Sequence, residues 1–270
     1  MASAEGRRCL IASLVLLASM LGCVRAVTPA SGSAKAIPTS ERRSGFEFMR
    51  AETQSLQRDD TANPGMLWVA DGAALFSAPA GTSNRACADC HPDRLAGVAA
   101  RYPAYDPGKK AAIDLAQRIN TCRTRQQRAR PLAPESRDLL ALNAFVAHQS
   151  RGLPIQDPAR DPRLARAIVN GRTLYMQRIG QLNLSCAQCH DRHWGRRLAG
   201  NVIPQAHPTG YPLYRLEWQG LGSLQRRLRN CMTGVRAEPY DYGSQEMIDL
   251  EVFLASRAAG LAIETPAVRP

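Results

Sequence analysis

Two short stretches carry the residues that could do chemistry, Cys87-Ala88-Asp89-Cys90-His91 and Cys186-Ala187-Gln188-Cys189-His190, both spaced C-x-x-C-H. In that spacing two thiols add to the vinyl groups of one haem while the next histidine meets its iron. A single copy could be chance or a thiol redox pair. Two copies, 99 residues apart and at equivalent places in a duplicated chain, predict two covalent haem c groups. One would hang on Cys87 and Cys90 with His91 on the iron, the other on Cys186 and Cys189 with His190 on the iron.

The group opposite each histidine decides what such a centre does, since methionine raises the potential of a haem and a thiolate pushes electron density onto it. No methionine lies between Met66 and Met176, so the first site has Cys122 and His148 as candidates. The second has Cys231, Met232, Met247, His193 and His207. Of these, only Cys122 and Cys231 fall at matched positions of the repeat, which makes His91 with Cys122 and His190 with Cys231 the expected iron ligands. The alternative is a Cys122–Cys231 disulfide. Residues at matched places around two separate haems would lie beyond the ~7 Å between Cα atoms that a bridge tolerates. His193 and His207 read better as surface or propionate contacts, and Met232 as packing beside the haem. Arg118 and Arg227 each stand four residues before their cysteine, one helical turn away. A haem propionate is the ordinary partner for such an arginine and the better reading for Arg118. For Arg227 a tetrahedral oxyanion beside a reactive sulfur is equally open, because a planar guanidinium fork suits it.

These residues are positioned by an internal repeat. Gly72-Ala73-Ala74-Leu75-Phe76 and Gly171-Arg172-Thr173-Leu174-Tyr175 each begin 15 residues before the first cysteine of a haem motif. Leu-Ala-Gly follows each motif at 95–97 and 198–200, then Tyr-Pro at 102–103 and 211–212. Each half closes on a stretch with apolar residues at helical spacing, Ser136 to Ala147 and Ser244 to Ala255, with the serine placed to accept from first-turn amides and an acid two residues on. Strand signal is nearly absent. The expected fold is all-α, two fused and duplicated c-type cytochrome domains, with residues 57–160 as the first and 161–270 as the second.

A chain of 270 residues, 44% hydrophobic and 21% charged, can bury two cores of ordinary size. Arg7-Arg8, an apolar run from Cys9 to Gly22 and the small-residue exit Val24-Arg25-Ala26 predict a signal peptide over 1–26, cleaved near Ala26; a lipoprotein cut before Cys23 is the alternative. Residues 27–56 read as a tether and extension, rich in Ala, Ser, Pro, Thr and Gly up to about Arg43, with ordered structure expected from Ser44. No later run approaches the ~20 apolar residues of a membrane span. The formal charge of +12 falls to +10 without the signal. That field favours anionic substrates or an acidic partner. Arginines scattered among haem motifs without an aromatic-basic platform argue against nucleic acid.

From Cys231 to Tyr240, with Arg236-Ala237-Glu238-Pro239 inside it, the chain resembles the SoxA subunit of SoxAX cytochromes. The likeness extends through Ser44-Gly45, Glu52-Thr53, Gln57, Asp59-Asp60, Asn63-Pro64, Trp68-Val69 and the haem motif 186–190. This resemblance implies a periplasmic L-cysteine S-thiosulfotransferase, which joins thiosulfate oxidatively to a cysteine of a SoxYZ-type carrier. It implies a heterodimer with a SoxX-like monohaem cytochrome c that takes the electrons. It also implies that Cys231 is both haem ligand and sulfur-accepting group, often a persulfide, with Arg227 the active-site arginine. Two other functions compete, a thiosulfate dehydrogenase that makes tetrathionate and a non-catalytic dihaem electron carrier.

Overall fold

The computed structural model describes residues 37–92 and 95–270. The expected signal, 1–26, and most of the tether after it lie outside the described residues. Order begins earlier than Ser44, with a 3-10 turn at Thr39–Glu41 and a second at Gly45–Phe48. The second is closed by a capping box between Ser44 and Glu47. Polar helix α1 (Ala51–Arg58) follows and ends before Asn63-Pro64, as the sequence implies.

Each repeat then lays down one series. The first runs α2 (Met66–Ser77), the Cys87–His91 turn, a hairpin of β1 (Ala104–Asp106) and β2 (Ala111–Ile113), α3 (Leu115–Cys122) and α4 (Arg137–His148). The second runs α5 (Ala165–Met176), α6 (Cys186–His190), a small hairpin of β3 (Arg197–Leu198) and β4 (Asn201–Val202), a hairpin of β5 (Leu213–Arg215) and β6 (Gly220–Gly222), α7 (Leu224–Gly234) and α8 (Gln245–Arg257). A final strand, β7 (Val268–Arg269), adds to β5 in parallel.

The helix pairs α2–α4 and α5–α8 are the frame. They cross at Gly72 and Gly171, where a Cβ would stand 2.1 Å from the Ala141 carbonyl oxygen and 2.0 Å from that of Asp249. No other residue allows backbones that close. Aromatic pairs then fill matching places, Phe76 on Phe145 and Tyr175 on Phe253, each with centroids 5.2 Å apart. Ser244 caps α8 through Met247 N as expected, whereas Ser136 makes no cap bond and its buried hydroxyl has no partner among the described residues.

The strands depart from the expectation of almost none. All are two or three residues long, too short to show an alternating pattern in sequence, and they weld the halves together. Tyr214, Leu221 and Val268 of the second half pack on Val69, Leu140 and Ala144 of the first. Reciprocally, Ala112 packs with Leu164, Ala167, Ile248 and Val252. Each repeat thus covers the helix pair of the other, and the described residues hold together as one unit. The fold is mostly helical, and among the described residues no helix is long and apolar enough to cross a membrane.

Candidate haem and sulfur site

The second C-x-x-C-H is a single helical turn started by Ser185, whose hydroxyl accepts from Gln188 N while the Gln188 side chain accepts from Ser185 N. That box fixes where the turn begins and therefore where His190 emerges. The His190 Nδ1 lies 2.7 Å from the Pro204 carbonyl oxygen and donates to it, which fixes the ring and turns its other nitrogen toward Cys231, the orientation an iron ligand requires. The Pro204 carbonyl is itself held on both flanks. Buried Gln205 donates to Glu41 O (3.0 Å) and accepts from Arg43 N (2.8 Å), and His207 Nδ1 lies 2.7 Å from Arg43 O. Behind it, Arg257 bridges Asp191 (2.7 Å) and the Gln205 carbonyl (3.1 Å), and Tyr175 donates its hydroxyl to the same Asp191 oxygen. The extension before α1 is therefore part of the support for His190.

Cys231 faces that histidine from α7, which Ser223 caps through Arg226 N. Burial alone would raise its thiol. The hydrogen bond with His190 and the charges of Arg227 and Arg215 outweigh burial and bring it down to about 7. Burial pushes the Cys186 thiol up to about 12 and raises Cys189 as well, with Cys231 adding to both. The three sulfurs are thus neighbours, and one of them, Cys231, is bonded to the His190 ring. A cavity of about 520 Å³ opens beside them, lined by His190, Cys231, Arg227, Val202, Leu224 and Leu228. Its size lies within the ~300–1,000 Å³ usual for cofactor and ligand sites. An imidazole and a thiol face to face, two further thiols on the adjoining turn and an aliphatic wall fit a covalently held haem.

The first site is built alike but closed less tightly. Burial raises the Cys87 thiol, with Arg123, Cys122 and Cys90 as its charged neighbours. Cys122, at the end of α3, is raised by burial and opposed by Arg118. Cys87, Cys90 and Cys122 therefore come together. His91 is exposed, and among the described residues it makes no bond to Cys122 like that between His190 and Cys231. His148 lies at the end of α4 beside Arg151 and Asp60. The six described cysteines are free, so no Cys122–Cys231 bridge forms. Met232 packs in the core with Met247. Arg118 is held by Asp106 (2.7 Å) and the Tyr102 hydroxyl (3.1 Å).

Two helix pairs, each with a C-x-x-C-H turn and a further cysteine beside its thiols, define a c-type cytochrome. A family profile described as SoxA/TsdA, cytochrome c domain, matches residues 71–155 and again 170–263. The chain belongs to that family. It is 37% identical to the L-cysteine S-thiosulfotransferase subunit SoxA of Pseudaminobacter salicylatoxidans, over 86% of this chain and 82% of that one. With the subunit of the same name from Allochromatium vinosum it shares 31% over 96% of this chain and 98% of the other. The crystal structure of SoxXA from P. pantotrophus superposes with a TM-score of 0.81 at 31% identity, covering 85% of this chain and 87% of that chain.

Proposed function

We propose that this chain is the haem-carrying subunit of a periplasmic L-cysteine S-thiosulfotransferase, with two haem c groups and domains at 57–160 and 161–270. Relatives of that name at up to 37% identity support the activity. The observation that carries the residue assignment is the Cys231 sulfur, which meets the His190 ring on one side and the Arg227 charge on the other, at the wall of one cavity.

His190 and Cys231 would hold the second haem iron, His91 and Cys122 the first, with Cys186, Cys189, Cys87 and Cys90 as the attachment thiols. Thiosulfate enters with its sulfonate toward Arg227 and its outer sulfur toward Cys231. A sulfur–sulfur bond forms as the Cys231 thiol loses its proton, and the pair releases two electrons. Attack by the thiol of a SoxYZ-like carrier on the same outer sulfur then moves the S–SO3 group to the carrier and returns the proton to Cys231. The sum is thiosulfate plus carrier thiol giving carrier S-thiosulfonate, one proton and two electrons. When bound, the haems held by these residues would supply one-electron acceptance, by which the two electrons leave toward a SoxX-like partner cytochrome. Arg227 keeps the sulfonate end fixed and offsets its charge throughout.

Cys231→Ser tests this in the holoprotein with its partner. Conjugation of thiosulfate to the carrier should be lost while both haems stay attached. Conjugation that survives in that variant removes the transferase reading in favour of an electron carrier. Tetrathionate formed from thiosulfate without carrier would instead favour a thiosulfate dehydrogenase.

A further inference from the structure

The repeat is most informative where its halves disagree. Tyr102, Asp106 and Arg118 of the first half correspond to Tyr211, Arg215 and Arg227 of the second, by the same offset that matches Cys122 to Cys231. In the first half Asp106 neutralises Arg118, at 2.7 Å, and Tyr102 accepts from it. In the second half an arginine stands at the acid's place on the hairpin. The local charge changes by two, and Arg227 loses its carboxylate partner: among the described residues no Asp or Glu forms an ion pair with it.

Both arginines line the cavity at Cys231, together with Arg50, Arg197 and Arg269, and among the described residues no Asp or Glu lines it. Arg269 is committed elsewhere, to Glu264 (2.8 Å), Gln57 and the Val268 carbonyl. Arg215 is not. It is 8% exposed, lies over the Trp218 ring, and its buried Nε has no partner among the described residues. Its one ion pair among the described residues is to Glu217, whose side chain is 61% exposed, so that pair is screened by water. Burial and the facing Arg227 charge both weaken the hold of Arg215 on its proton, a repulsion that a bound anion would relieve.

We propose that Arg215 and Arg227 form a two-arginine oxyanion clamp beside Cys231, and that Arg215 is a substrate-specificity residue selecting a sulfonate or sulfate-like group. The assignment of Arg215 to the substrate rests on the sulfur-transfer reading above; the clamp itself does not. Two guanidinium forks can meet a tetrahedral oxyanion with paired N–H donors from two directions, which neither a thiol nor a carboxyl of neutral charge would repay. The shared chemistry is an oxyanion, and it has two possible sources, the free substrate or a propionate of the bound haem.

The test uses the holoprotein with its partner cytochrome. Inorganic sulfate, which cannot react, is titrated calorimetrically against wild type, Arg215→Gln, Arg215→Lys and Glu217→Gln. Thiosulfate KM and kcat and the midpoint potential of the second haem are measured on the same proteins. Arg215→Gln should weaken sulfate binding and raise KM about tenfold or more, with kcat changed by less than about twofold and the potential unmoved. Arg215→Lys should recover part of the loss, and Glu217→Gln, at an exposed position, should tighten sulfate by about twofold. Sulfate affinity and KM unchanged in Arg215→Gln overturn the proposal, as does a wild type that binds no sulfate. A shifted potential with unchanged sulfate affinity assigns Arg215 to a propionate and refutes the substrate clamp. Should Arg215→Gln fail to load haem, Glu217→Gln decides: sulfate affinity that does not rise refutes the clamp. Sulfate binding that depends on Arg215 in a protein that makes no conjugate upholds the clamp and refutes only the transfer reading.

Discussion

Lowering the pH should loosen the support of His190 through His207. Burial holds its imidazole neutral, with Arg257 and Arg42 pushing in the same direction, against the Arg43 carbonyl and Asp191, and its pKa falls from 6.5 to about 4. The sign follows from which state binds the proton first. Unfolded chain takes it up as pH drops below about 6.5, folded protein only near 4, so stability is intact at neutral pH and lost between those values. The full loss is about 3 kcal/mol, of which about 2 is reached by pH 5. For a domain of this size that lowers Tm by roughly 4–8 °C at pH 5. Other acid-sensitive groups contribute too, so the quantity to measure is a difference. His207→Gln keeps a donor for the Arg43 carbonyl and cannot be protonated. Melting curves of both holoproteins at pH 7 and pH 5 should show the wild type losing more than the variant by that amount. Equal losses in the two proteins would refute the claim that His207 is a buried, neutral strut.

Two further changes probe the frame. Gly171→Ala places a Cβ against the rigid Asp249 carbonyl, so overpacking of about 3 kcal/mol outweighs the ~1 kcal/mol gained in helix propensity. Thermal melting should fall by roughly 4–8 °C, with Gly72→Ala behaving alike at the matched crossing; a neutral result at either glycine would contradict that tight crossing. Asp191→Asn leaves Arg257, 11% exposed in its side chain, without its counter-charge. Denaturant unfolding should show a loss of about 3–5 kcal/mol at unchanged slope, and a loss under 1 kcal/mol would mean the pair is not structural.

Much of the site was legible because the chain states it twice. The offset between repeats singles out Cys122 and Cys231 from seven candidate ligands, and the structure sets Cys231 against His190. The same offset held the exchange of Asp106 for Arg215, but only the structure gave it meaning. Until Arg118 is seen bound to Asp106, the position is one more charge on a loop. The exchanged hairpins left no signal, since strands of two or three residues carry no period and their packing partners lie in the other half of the sequence. Likewise the hold on Pro204 joins Glu41 and Arg43 to residues more than 160 positions away, a distance over which no local pattern reports.

The most direct test of the account is low-temperature EPR of the oxidised holoprotein beside Cys231→Ser. A cysteine sulfur opposite His190 predicts a low-spin thiolate-ligated haem signal in the wild type that the variant loses, with the other haem signal retained. A spectrum with no thiolate signature, or one that Cys231→Ser leaves unchanged, would contradict it.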